Sequence, residues 1–134
     1  MRYTILALVL LLSGCTSSID IPEDQYGLLF RFGEIQTSAS GPAKIDKAFF
    51  IEHVVLIDKL FELKMDEGRY LVRYEVTDPK RYYKVTGGNR TISGILGREL
   101  ARLSLRGKAI HTQSQLHEVI EDMNLPIHIV EGPN

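Results

Sequence analysis

The sequence predicts an α+β fold in which a small antiparallel or mixed sheet is followed by two or three helices. Two observations support this class. Between Gln25 and Val76, apolar residues recur at every second position, which is the period of a half-buried strand. After Val76 they recur every three or four residues, which is the period of an amphipathic helix. The change of period divides the chain into a sheet-forming part and a helical part.

Three segments carry the two-residue period. The first begins at Gln25 and turns at Gly33-Glu34, the second spans residues 54–63, and the third spans residues 70–76 after a turn at residues 66–68. Alternation of this kind predicts an antiparallel sheet with one buried face. The predicted inward residues are Tyr26, Leu28, Phe30, Phe32, Val55, Ile57, Phe61, Leu63, Tyr70, Val72, Tyr74 and Val76.

Two segments are rich in small and polar residues. Residues 37–42, TSASGP, have the composition of a loop. Residues 16–24 are small, polar and proline-containing, and we interpret them as a short tether in front of the domain.

Helix signals follow the third strand. Asp78-Pro79 predicts an N-cap and a first-turn proline, with the helix ending at Gly87-Gly88. A second helix is predicted from helical spacing of apolar residues between 92 and 103. Thr112 with Gln115 fits a capping box that opens a third helix.

The chain begins with a short apolar run that leads to its only cysteine. Residues 5–12 are apolar, Arg2 precedes them, and Ser13-Gly14-Cys15 follows. As a helix, residues 3–14 would be about 18 Å long, against a hydrocarbon core of about 30 Å, so the segment is too short to span a membrane. A basic start, a short apolar centre and small residues predict an export signal. The alternative is that Cys15 is a small apolar residue in a buried segment.

The residues Leu12-Ser13-Gly14-Cys15 resemble the lipobox of bacterial lipoproteins. The resemblance implies cleavage before Cys15 and acylation of its thiol and new amino group. Several acyl chains on one residue meet the requirement for stable anchoring. We therefore expect an exported protein, lipid-anchored to a bacterial membrane and facing the periplasm. Thr16, where an aspartate could stand, favours the outer over the inner membrane by resemblance to sorted lipoproteins.

The expected organisation is a lipoprotein signal peptide at residues 1–14, a lipidated tether at 15–24, a folded domain at 25–130 and a tail at 131–134.

Three stretches resemble the SPFH/band-7 superfamily, which includes stomatin, prohibitin, flotillin and HflK/HflC. They are EDQYGLLFRFGEI at residues 23–35, GPAKIDKAFFIEHVVLID at 41–58 and YEVTDPKRYYKVTGG at 74–88. The last is the best match, and the HflC-like modulators of the FtsH protease are the most similar members. Between residues 63 and 70 the chain is shorter than the family pattern. The resemblance implies a shortened SPFH-like domain that acts through protein contacts.

A stripe of arginines is the candidate contact surface. Arg98, Arg102 and Arg106 recur every four residues on the second predicted helix, within a block from Lys80 to Lys108 that holds eight basic residues and one acid. An acidic partner surface or acidic lipid headgroups would complement this charge. An exported protein would rarely meet nucleic acid, so nucleic acid is not an expected partner. The alternative is a merely solvated helix face.

The sequence predicts no catalytic, metal or cofactor site. The four histidines show no i, i+4 pair, no GxSxG motif is present, and the single cysteine is assigned to the anchor. The expected function is therefore a membrane-anchored scaffold or regulator that modulates a membrane protease or organises membrane proteins. Its expected partners are the membrane, such proteins or SPFH relatives, and further copies of the chain.

Two alternatives stay open. One is a small envelope hydrolase, which would need to gather two or more of five titratable residues. The other is a truncated, degenerate paralogue with little independent function. The five residues of the first alternative are His53, Asp58, Glu62, Asp66 and His111.

Overall fold

A computed structural model describes residues 16–48 and 50–130. It confirms the α+β class: the described residues form eight strands in three small sheets, and three helices. The predicted signal peptide, Cys15 and the tail at 131–134 lie outside the described residues. In chain order the elements are β1 Thr16–Ile21, β2 Gln25–Arg31, β3 Glu34–Ser40, β4 Ala43–Ala48, β5 Glu52–Asp58, β6 Leu60–Met65, β7 Tyr70–Val76, α1 Pro79–Thr86, α2 Ser93–Leu105, α3 Gln113–Asp122 and β8 Ile127–Ile129.

The chain divides into two compact units, with the boundary between Ile57 and Asp58. Unit 1 holds a two-stranded sheet, β1–β4, and a three-stranded sheet in the order β3–β2–β5. Unit 2 holds the three helices and a second three-stranded sheet in the order β6–β7–β8. No helix among the described residues is long and apolar enough to cross a membrane.

The core of unit 1 forms where β1 and β4 cover β2. Ile21, Leu29 and Ile45 make up this buried cluster. Gly27 lies directly beneath it, since a Cβ at this position would overlap the side chain of Ile21 and press on Ile45. The missing side chain therefore allows the two-stranded sheet to approach β2 closely. Partly buried residues complete the cluster: Ala39, Ala43, Val54 and Leu56.

Three predictions in unit 1 are wrong. Thr16–Ile21, expected as part of a tether, forms strand β1, because it pairs with β4 across more than twenty intervening residues. Residues 37–40, expected in a loop, belong to β3, which pairs with β2. Phe32, expected to face inward, lies in the β2–β3 turn at a φ of 50° and is 79% exposed.

In unit 2 the alternation of β7 is confirmed. Its four predicted inward residues are all buried, and the strand pairs with β6 on one side and β8 on the other. The predicted turn before it is also present, because Asp66, Glu67 and Gly68 all adopt a positive φ. The predicted single strand over residues 54–63 is wrong. It is interrupted at Lys59, whose carbonyl oxygen accepts a hydrogen bond from the Val76 amide.

The helix termini agree with their sequence signals. The Asp78 side chain accepts the Arg81 amide at the start of α1, and Gly87 ends α1 at a φ of 80°. Thr112 and Gln115 form both bonds of the capping box at the start of α3. Helix α2 buries Ile92 and Leu96 and leaves its opposite face in solvent.

Candidate protein-contact surface

The three predicted arginines lie at the exposed surface of α2. Arg98 and Arg102 are within the helix, and Arg106 is its C-cap residue. The Arg102 guanidinium donates two hydrogen bonds to the Glu99 carboxylate, and one of them joins Nε to Oε2 at 3.0 Å. These bonds hold the pKa of Glu99 below its usual range, and the charge of Arg106 lowers it further. Glu99 is therefore ionised at neutral pH.

The charge on this surface is only partly neutralised. Glu99 pairs with Arg102, whereas Arg98 makes no ion pair with any residue that the structure describes. Three arginines and one glutamate leave two net positive charges on one helix face. We call the residues Arg98, Arg102 and Arg106 the arginine stripe.

A groove lined by apolar and charged residues borders the arginine stripe. It lies between α2 and α3 with a volume of about 510 Å³, and Arg102 and Glu99 contribute to its lining together with Asp122. Its apolar walls come from both helices and the segment that follows α3. These apolar residues, which we call the α2–α3 groove, are Ile95, Leu103, Val119, Met123 and Leu125.

The sequence did not indicate this groove. Val119 and Met123 have the spacing of inward-facing residues of α3, and that pattern predicts burial for both. In the structure they are only half-buried, because their side chains line the open space beside α2. Leu125, just beyond α3, carries no helical-pattern signal. The spacing of apolar residues within one helix does not show how α2 and α3 pack against each other.

The outer face of α2 has open space at its two glycines. A Cβ added at Gly94 or Gly97 would meet no atom within 4 Å, so no described side chain packs there. Leu105, near the same face, is 90% exposed. No other described helix therefore approaches α2 closely at these two glycines.

The residues of the hydrolase alternative occupy separate environments. His53 belongs to unit 1, where its ring stacks on Phe30 at a centroid distance of 5.0 Å. The other four belong to unit 2. The carboxylate of Glu62 pairs with Arg73 at 2.8 Å, and that of Asp66 pairs with Arg69 at 3.8 Å.

Asp58 also has a local partner, because the side-chain amide of Asn89 donates to its carboxylate at 3.3 Å. The His111 carbonyl oxygen accepts from Arg69, and its imidazole is at the surface. Within residues 16–48 and 50–130, no three potential metal ligands are gathered.

The chain was compared with family models and with curated proteins. No family model matches the chain, and no curated protein matches it. The SPFH resemblance therefore rests on the three sequence stretches alone, and the lipidation site at Cys15 lies outside the described residues.

Proposed function

We propose that this protein is a scaffold or regulatory protein of SPFH type, held at a bacterial membrane by acyl chains on Cys15. It faces the periplasm, on the outer membrane in preference to the inner. It acts by binding membrane proteins, either to modulate a membrane protease or to organise its partners locally. The lipobox resemblance supports the anchor, and the stretch at residues 74–88 supports the family.

One observation carries the binding function: the arginine stripe borders the α2–α3 groove. Arg102 belongs to the arginine stripe and, with its ion-pair partner Glu99, also lines the pocket that the groove residues form, so charged side chains flank the apolar ones. Protein interfaces typically combine an apolar centre with a polar rim, and arginine is enriched in them.

The chemistry of the surface indicates its partner. The net positive charge of this surface favours an acidic partner surface, and its apolar residues favour large aliphatic or aromatic side chains. The partner that fits both is an amphipathic segment of a membrane protein with acidic residues along its edge. An anchor keeps both proteins at the same membrane, so a weak contact gains from a high effective concentration.

The test is crosslinking in intact cells from a photo-crosslinkable amino acid in place of Leu105. Captured proteins are identified by mass spectrometry, and the expected product is a membrane protein with an acidic amphipathic segment. Replacing the arginine stripe with alanine should weaken this contact about tenfold, because each exposed charge pair contributes about 0.2–1 kcal/mol. The loss should be larger at low salt.

A matched control distinguishes the effect of these three arginines from the effect of lowering the net charge of the protein. Lys80, Lys84 and Lys108 are exposed basic residues outside the stripe, and replacing all three with alanine removes the same charge. This control should retain the crosslinked partner. Equal loss in both variants, or full retention of every partner by the stripe variant at low salt, would show that the stripe is not the contact surface.

A further inference from the structure

Unit 1 exposes three large apolar side chains at the tips of two turns. Phe32 and Phe50 are each 79% exposed and Ile51 is 45% exposed. Phe32 lies between β2 and β3, whereas Phe50 and Ile51 lie between β4 and β5. Single exposed apolar residues are common, but several grouped together mark a binding surface.

The two turns lie at the same end of unit 1. β2 and β5 are neighbours in one sheet, and Arg31 Nη2 donates to Glu52 Oε2 at 3.2 Å. One residue further in, the rings of Phe30 and His53 stack. Phe32 follows Arg31 directly and Ile51 precedes Glu52, so these contacts bring the two turns together. We call Phe32, Phe50 and Ile51 the apolar tip.

The amino end of the described chain is at this end as well. β1 begins at Thr16, which pairs with Ala48 in the register of β1 with β4. Ala48 is two residues before Phe50 and donates its amide to the Glu52 carboxylate at 2.9 Å. Cys15 is one residue, about 3.8 Å along the backbone, from Thr16. Thr16, which follows the predicted lipid attachment point in the sequence, thus lies at the same end of unit 1 as the apolar tip.

We infer that the apolar tip inserts into the lipid bilayer next to the acyl chains of Cys15. This inference rests on the proposed function, since it gives the anchored protein a defined orientation. Because β1 starts at the first residue after the cysteine, no tether separates the fold from the membrane surface. Apolar side chains held there can enter the boundary between headgroups and acyl chains.

Charge has little part in this docking. The charged residues beside the apolar tip balance, with Arg31 and Lys47 against Glu34 and Glu52. Arg31 pairs with Glu52, whose side chain is only 8% exposed. Insertion should therefore depend little on salt or on anionic lipid, unlike a contact made by the arginine stripe.

The chain contains no tryptophan, so a single substitution reports on one position. Phe50→Trp places the reporter in the apolar tip. Glu23→Trp is the matched control, because Glu23 is exposed and follows the far end of β1, roughly 20 Å from Thr16. Each full-length protein is expressed in the bacterium, purified and reconstituted into phosphatidylcholine vesicles with or without bromine on the acyl chains.

In brominated vesicles the Phe50→Trp protein should lose most of its fluorescence, and the Glu23→Trp protein should lose little. Aqueous iodide should give the reverse order. Adding Phe32→Ser and Ile51→Ser to Phe50→Trp should shift the protein towards the undocked state, about tenfold for each large side chain removed. All three positions are exposed, so circular dichroism should show an unchanged fold.

Equal bromine quenching at the two positions would overturn the inference. Protection of the Phe50→Trp reporter from iodide without bromine quenching would also overturn it, because a protein surface such as a second copy would then cover the tip. The mass of the amino-terminal peptide separates this result from the proposed function. An acylated Cys15 with an unquenched reporter would support the lipid anchor and contradict insertion of the apolar tip. An unacylated Cys15 with a quenched reporter would support insertion of the tip and contradict the lipid anchor.

Discussion

Two buried tyrosines join three segments of unit 2 through a directed chain of hydrogen bonds. The Ile92 amide donates to the Tyr74 hydroxyl at 3.0 Å, and the Tyr82 hydroxyl donates to the Arg90 carbonyl oxygen. Since Tyr82 has used its only proton, Tyr74 must donate to Tyr82 across their 2.8 Å separation. The chain of bonds fixes the segment before α2 to β7 and α1.

Removing the central hydroxyl should be costly. Tyr82→Phe leaves the Arg90 carbonyl and the Tyr74 hydroxyl without their partner, so we expect a loss of about 1–3 kcal/mol in the free energy of unfolding. Urea denaturation measures this loss. The control Tyr70→Phe removes one 3.3 Å bond at a less enclosed position and should cost less. Equal costs for the two variants would contradict the role of the chain of bonds.

The same pair predicts a response to alkaline pH. Burial raises the pKa of Tyr74 and also the pKa of Tyr82. In the unfolded chain both ionise near the ordinary value of 10.0. The stability that the pair contributes is thus complete below pH 10 and falls as the pH rises above it. Urea unfolding between pH 8 and pH 11 should show this fall, and it should be shallower in Tyr82→Phe.

At the scale of elements, one side chain of α3 bonds directly to the backbone of the sheet. β8 pairs only with residues 74–76 of β7, so the β7 backbone continues beyond it. There the Leu71 amide donates to Gln113 Oε1 at 3.3 Å, and the Gln113 amide nitrogen donates to the Leu71 carbonyl oxygen. The Gln113 side chain thereby forms the two backbone hydrogen bonds that a residue of a neighbouring strand would otherwise form with Leu71. Its amide nitrogen also lies 3.0 Å from Nε2 of the buried His117.

Gln113→Leu should therefore loosen α3. The substitution leaves both Leu71 backbone groups unpaired, and we expect a cost of about 1–3 kcal/mol in the free energy of unfolding. Hydrogen exchange at the Leu71 amide should accelerate as well. The exposed neighbour in Ser114→Ala should change neither measurement. An unchanged Leu71 exchange rate in Gln113→Leu would contradict the proposed attachment.

The elements that could be predicted are those whose signals are local. The β7 alternation, the turn at Asp66-Glu67-Gly68 and the caps of α1 and α3 each depend on residues within one short segment. β1 and β3 could not be predicted, because they are polar in sequence and exist through pairing with β4 and β2. The arginine stripe was visible as a spacing, but the α2–α3 groove depends on how two helices pack.

At the scale of the whole molecule, the two proposed surfaces belong to different units. The apolar tip lies in unit 1, and the arginine stripe with the α2–α3 groove lies in unit 2. Membrane attachment and partner binding can therefore be disrupted by separate sets of substitutions. Variants of the apolar tip should retain the photo-crosslinked partner as long as Cys15 is acylated.

The proposed function depends most on lipid attachment at Cys15. The direct measurement is the mass of the amino-terminal peptide of the protein isolated from the bacterial envelope, together with its distribution between membrane and soluble fractions. We expect a chain that begins at Cys15, carries acyl chains on its sulfur and its amino group, and is found in the membrane fraction. A chain with an uncut amino terminus, an unmodified Cys15 and a soluble distribution would contradict the account.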